Sequence, residues 1–180
     1  MSELNQFNRK IFHTHDLAVL WGINDKHNLY MTITRYIKKG VLFPIYKGLY
    51  SAVPIPSLSP IELGQAIIHR YTYLTTESVL SQAGIISQAV YDYTFVADIP
   101  RRIAIGSWSY RFRQLKNEFL YNPAGIVNQN GVFIASTERA VADMLYYNPR
   151  YHFDALDSIN FEEVKFIQKE IGYPHAGPET

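Results

Sequence analysis

Apolar residues along the chain alternate between helical and strand spacing, and the switches mark the elements. Leu17, Ala18, Leu20 and Trp21 form an apolar stripe behind Thr14, a residue suited to capping, and Gly22 stops the pattern, so a helix is predicted from Thr14 to about Gly22. After a tight turn at Ile23-Asn24-Asp25, the residues Leu29, Ile33, Tyr36 and Ile37 fall at i, i+4, i+7 and i+8 between Lys26 and Lys39, which gives a second helix one buried face. Gly40 ends it. Leu42–Tyr46 and Leu49–Val53 then read as two short strands around a Lys47-Gly48 turn, a hairpin placed directly after the helix. Helix, tight turn, helix and hairpin in this order predict a winged helix-turn-helix.

The prolines of Val53-Pro54-Ile55-Pro56-Ser57 remove backbone donors and hold the chain extended, so this segment reads as a linker dividing the chain into domains 1–55 and 56–180. Beyond it, Ser59-Pro60-Ile61-Glu62 combines a capping serine, a proline at the first helical position and a glutamate at the third, which predicts a helix to about Arg70. A further helix is predicted from Thr76 to Ala83, closed by Gly84. Short strand-like runs follow at Thr94–Ala97, Arg102–Ile105, Tyr110–Leu115, Phe119–Tyr121, Ile126–Asn128 and Val132–Ile134, with Asn130-Gly131 as a hairpin turn. Thr137 opens a helix to about Tyr147, and Asn160 with Glu163 opens a last one to about Ile171. The expected class is α+β: an N-terminal winged helix-turn-helix followed by a small α+β domain with a mostly antiparallel sheet.

Charge changes this picture more than composition does. The net charge of +1 hides an asymmetry: residues 1–55 carry seven basic side chains (Arg9, Lys10, Lys26, Arg35, Lys38, Lys39, Lys47) against Glu3, Asp16 and Asp25, whereas the remainder is net acidic, most strongly from Asp154 onward. Two modules with different partners produce such a distribution. No run of about 18 uncharged apolar residues occurs and the start MSELNQFNRK lacks the apolar stretch of a secretory signal, so a cytoplasmic location without a membrane partner is expected. The absence of cysteine agrees with that and excludes disulfides, thiol nucleophiles and cysteine-ligated zinc.

On the second helix, the face opposite the apolar stripe carries His27, Asn28, Met31, Thr34, Arg35 and Lys38. Asn28 has the paired donor and acceptor that read adenine, Met31 suits a thymine methyl, and Arg35 suits guanine or phosphate. Lys26, Lys38 and Lys39 fit phosphate contacts, and Lys47 at the hairpin tip can reach the flanking backbone. The plainer alternative is a solvated helix face, and winged helices also serve as protein-interaction modules.

The run Ile33–Tyr50, ITRYIKKGVLFPIYKGLY, resembles the segment of AbiEi-type antitoxins in which the recognition helix passes through a Lys-Gly turn into a wing ending in Gly-x-Tyr. Three further pieces appear in that family's order: Tyr73-Leu74-Thr75-Thr76-Glu77-Ser78-Val79-Leu80, Gly84-Ile85-Ile86, and Ala135-Ser136-Thr137-Glu138-Arg139-Ala140-Val141-Ala142-Asp143-Met144-Leu145. The last is similar to the family's Ala-Ser/Thr-x-Glu-Lys/Arg-Ala-x-x-Asp helix. The resemblance implies a regulator that binds inverted repeats of double-stranded DNA in its own promoter through its N-terminal module. It also implies an antitoxin of a type IV toxin-antitoxin system, counteracting a nucleotidyltransferase-type toxin encoded beside it, with the C-terminal domain needed for neutralisation.

Other groups have competing readings. Arg101, Arg102, Arg111, Arg113 and Lys116 occur without an intervening acid and interleave with Trp108, Tyr110 and Phe112, a candidate second nucleic-acid surface or simply a solvated sheet face. Glu138, Arg139 and Asp143 suit a helix start and an i, i+4 salt bridge, with partner contact as the alternative. His13, His15 and Asp16 are close enough in sequence for a metal, but capping and surface roles explain them, so no metal and no cofactor are expected. Asp98, Glu118 and Lys116 on adjacent predicted strands outline a nuclease-like alternative, while nucleophile elbows, phosphate loops and the H-E-x-x-H motif are missing, so an enzyme is not expected. Among the fourteen tyrosines, Tyr71, Tyr73, Tyr91, Tyr93, Tyr146, Tyr147 and Tyr151 all lie in the second domain, where either core packing or an interface accounts for them.

Overall fold

The computed structural model describes residues 9–174, in two compact units that divide between His69 and Arg70. The start of the chain, read above for a secretory signal, and the end of the acidic stretch lie outside the described residues.

In the first unit a strand β1 (Ile11–His13) leads directly into α1 (Thr14–Trp21), followed by α2 (Lys26–Lys38), the hairpin β2 (Phe43–Tyr46) and β3 (Leu49–Ser51), and α3 (Pro60–Ile67). Asp25 caps α2 by accepting the amide of Asn28 at 2.8 Å, and Leu29 and Ile33 turn that helix's apolar stripe into a core with Phe12, Leu17 and Leu42. Trp21 of α1 stacks on Tyr36 of α2 with ring centroids 5.0 Å apart, which fixes how the two helices face one another. The sheet order is β1-β3-β2, both pairings antiparallel, with Phe12 opposite Tyr50 and an irregularity between Pro44 and Tyr46. Gly48 occupies the hairpin tip at φ 70°, and its carbonyl accepts the Thr14 amide at 2.8 Å, tying the tip to the start of α1. A Cβ there would lie 3.1 Å from Thr14 Oγ1, so glycine serves both the backbone conformation and the close approach.

Three expectations change in this unit. The three-residue β1 is too short to show a period in the sequence. The segment read as an extended linker contains a 3-10 turn at Ile55–Ser57, closed by the Ser57 amide donating to the Pro54 carbonyl at 2.9 Å, because the φ that proline fixes suits a 3-10 turn as well as an extended chain. Helix α3 stops at Ile67 rather than near Arg70, since Ile68 is extended and buried.

The second unit is a mixed α+β layer. Its strands are β4 (Tyr73–Leu74), β5 (Asp92–Ala97), β6 (Arg101–Ile105), β7 (Trp108–Gln114), β8 (Ile126–Gln129) and β9 (Val132–Ala135), ordered β6-β7-β5-β4-β9-β8. Pairs β6/β7, β4/β5 and β8/β9 are antiparallel, but β5/β7 and β4/β9 are parallel, so the sheet is mixed. Its helices are α4 (Glu77–Gln82), α5 (Asn117–Leu120), α6 (Thr137–Tyr147) and α7 (Phe161–Ile171). Stacked rings of Phe95 on Phe112 and Tyr93 on Tyr110 fill the β5/β7 seam.

The run Phe119–Tyr121, expected as a strand, instead takes part in α5. Phe119 and Leu120 are both buried, which adjacent strand residues facing opposite sides of a half-exposed sheet do not achieve, and the Lys116 carbonyl accepts both their amides. Among the described residues no helix is long and apolar enough to cross a membrane.

Candidate nucleic-acid interface

Because Leu29 and Ile33 anchor α2 inward, its other face is presented outward. Lys26, His27, Asn28, Tyr30, Met31, Thr34, Arg35, Lys38 and Lys39 are all exposed. Asn28, Met31, Arg35 and Lys38 follow one another at steps of three and four, so they form a single stripe along the helix. Met31 is 60% exposed and Tyr30 45%, values that mark apolar side chains held out of the core. Tyr30, which carries no signal in the apolar stripe, lies three residues after His27 and four before Thr34, the spacing that places it on this face. Arg35 lies 5.9 Å from the ring of Tyr36, and Arg35 and Lys38 occupy the last turn, where they also complement the partial negative charge of the helix end. Lys47 is exposed beside Gly48 at the hairpin tip.

The candidate metal group does not assemble. His13 stacks on His69 with centroids 4.1 Å apart, and the Ala66 carbonyl accepts from its Nε2 at 2.8 Å. Asp16 accepts the His13 amide at 2.8 Å and pairs with Arg9 at 3.1 Å, while His15 is exposed. Burial first, and the neighbouring His69 second, push the His13 imidazole below its ordinary value, against the Ala66 carbonyl and Asp16. Among the described residues no cluster of three or more His, Asp or Glu is placed to hold a metal ion.

In the second unit the basic run is interleaved with carboxylates, two from upstream elements and one at the end of the run itself. Arg113 is ion-paired with Glu77, which also stands 4.0 Å from Arg111; Arg102 lies 3.4 Å from Asp92; and Lys116 lies 3.7 Å from Glu118. Arg113 also sits over the ring of Tyr147 at 5.0 Å. Asp98, the other acid of the nuclease-like alternative, is paired with Arg70. The two carboxylates of that alternative are thus each engaged by a cation.

Arg139 and Asp143 are fully buried, so the partner-contact reading gives way to a structural one, with only Glu138 partly exposed. The guanidinium donates from Nε to Asp143 at 2.9 Å, from Nη1 to the Asn122 and Ala124 carbonyls at 3.1 and 2.8 Å, and from Nη2 to Tyr73 Oη and the Phe119 carbonyl at 2.5 and 3.2 Å. Those bonds use every N–H the group has. Asp143 in turn accepts from Thr75 at 2.8 Å, Tyr73 at 3.1 Å and Tyr173 at 2.6 Å. Burial, and then the Asp143 charge, raise the Tyr173 phenol far above its usual range, which keeps it a donor. The sequence announced the Arg139/Asp143 pair by its spacing; Tyr173 and the carbonyls of 119–124 carried no such signal.

No protein-family model matches the chain, and no curated protein matches it in sequence.

Proposed function

We propose that the chain is a DNA-binding transcriptional autorepressor whose first unit is a winged helix-turn-helix, and that it acts as the antitoxin of a type IV system, as its resemblance to the AbiEi family implies. The observation that carries the DNA-binding part is the outward stripe Asn28, Met31, Arg35 and Lys38 on α2, flanked by Lys26, His27, Lys39 and the hairpin-tip Lys47. In this reading α2 enters the major groove of double-stranded DNA. Asn28 and Met31 face base edges, Arg35 a guanine or phosphate, and the lysines the phosphate backbone, which makes affinity salt-dependent. Operator DNA is the chain's own promoter, with inverted repeats. No catalysis is proposed, and the cognate toxin is a nucleotidyltransferase-type protein. Since Arg139 and Asp143 are internal, the family-like motif holds the second unit together and toxin contact falls on other surfaces.

A gel-shift titration against the chain's own upstream DNA at two salt concentrations tests this. Specific binding that weakens with salt and falls by roughly tenfold in Arg35→Ala/Lys38→Ala is expected. Its absence overturns the repressor reading in favour of a protein-interaction module, for which the exposed Tyr30 and Met31 supply apolar anchors.

A further inference from the structure

Four arginines of the second unit are not used by the DNA-binding reading, and they line one open depression of its surface. A cleft of about 700 Å³ beside β6 and β7 is lined by Arg101, Arg102, Arg111 and Arg113 together with Gln114 and Tyr147, and no carboxylate lines it. Strand register gathers these cations: Arg102 is directly opposite Arg111, and Arg111 and Arg113 share a face of β7. Like charges so placed repel one another unless an anion lies between them.

The chain supplies only part of that anion. Glu77 engages Arg113 through Oε1, leaving Oε2 buried and without a hydrogen-bond partner among the described residues, as are Arg113 Nε and the adjacent Thr76 hydroxyl. Thr76 is also held at φ 49° and ψ −129°, a positive-φ conformation outside the left-handed helical region and costly for a β-branched residue. Strain and unsatisfied polar atoms collect beside binding sites more than elsewhere in a fold.

A second cavity of about 350 Å³ shares Arg111 with the first and is lined by Glu77, Asp92, Thr94 and the 85% exposed Tyr91. Its two carboxylates interrupt the cationic track that a longer nucleic-acid strand would need past Arg111, but they suit the hydroxyls of a ribose, and phosphate oxygens on Arg102 and Arg111 would replace the contacts those arginines make with Asp92 and Glu77. We propose that these adjoining cavities bind a nucleoside triphosphate, its phosphates on Arg102 and Arg111 and its nucleoside beside Asp92, Glu77 and Tyr91. Guanidinium groups match phosphate oxygens in geometry as well as charge, and an open depression leaves a polyphosphate room to lie along them. This site is independent of the proposed DNA face.

Calorimetric titration of the whole chain with ATP, GTP, CTP, UTP and inorganic tripolyphosphate tests the assignment. Saturable binding of at least one nucleotide is expected, tighter than tripolyphosphate, and weakened about tenfold or more by Arg102→Gln and by Arg111→Gln. Arg111→Lys should recover part of the loss, and unchanged circular-dichroism melting shows that the variants fold. Equal affinity for tripolyphosphate overturns the nucleoside assignment. The site itself is overturned by failure of all five probes, by binding that survives both variants, or by binding lost instead in Arg35→Ala/Lys38→Ala. Capture of a single-stranded oligonucleotide at Arg102 and Arg111 without nucleotide binding also overturns it, in favour of a strand.

Discussion

Helices α2 and α6 each carry an arginine that the sequence singled out, and the fold uses them in opposite ways. On α2, Asp25 caps the helix, two apolar residues are buried, and Arg35 is left in solvent with its neighbours. On α6, Ser136 caps the helix, seven consecutive residues from Arg139 to Leu145 are buried, and Arg139 lies inside with every donor occupied. The difference teaches that a basic residue in a family-like motif is evidence of function only after its surroundings are known. An exposed cation loses little solvation and is available to a partner, whereas a buried one is retained only if the fold supplies all its acceptors.

The contrast breaks most sharply at the buried pair. Asp143→Ala leaves Arg139 charged and unpaired in the core, and urea denaturation should show a loss of about 3–5 kcal/mol. Next comes Gly125, at φ 70°, whose carbonyl accepts the Ser136 amide at 2.7 Å and whose added Cβ would lie 2.7 Å from the Cβ of Arg139. Gly125→Ala combines backbone strain with that clash, and a loss of about 2–3 kcal/mol is expected in the same measurement. On α2 the expectation reverses. Arg35→Ala/Lys38→Ala should leave the denaturation midpoint almost unchanged yet weaken promoter binding by roughly tenfold and flatten its salt dependence by about one to two phosphate contacts.

The smallest effect concerns His13. Its pKa is depressed in the folded chain, so the unfolded chain binds the proton more tightly. The stability it contributes is complete above the ordinary imidazole value near 6.5 and is lost as pH falls from there through the depressed value. Denaturation of the first unit followed between pH 8 and pH 5 should show that loss, and His13→Gln should reduce it.

Legibility differed between the units for physical reasons. In the first, Leu29, Ile33, Tyr36 and Ile37 write their face into the spacing, and Lys47-Gly48 writes the turn, because helices and hairpins are local. In the second, the helix Thr137–Tyr147 was equally plain from the threonine that opens it, although the residue that caps it is Ser136. What escaped was non-local. The parallel pairings β5/β7 and β4/β9 leave no mark on adjacent residues, and Tyr73–Leu74 is too short to show alternation. The carboxylates that partly neutralise the arginine run come from Glu77 and Asp92, well upstream of it. The exposed face of α2 could be listed from the sequence; the cleft between Arg102 and Arg113 could not.

The two-residue strand β4 has a consequence for the order of folding. Leu74 pairs with Phe95 on one side and Ile134 on the other, and among the described residues it alone joins β6-β7-β5 to β9-β8. The hairpins β6/β7 and β8/β9 close over short loops and are expected to form early, whereas the Leu74 to Ile134 junction must draw together distant parts of the chain and lose loop entropy before any pairing compensates. Sheet closure should therefore be the slow event, arriving together with the docking of Tyr73 on Arg139. Substitutions in the polar core would then change the folding rate, while those on α2 would leave it untouched.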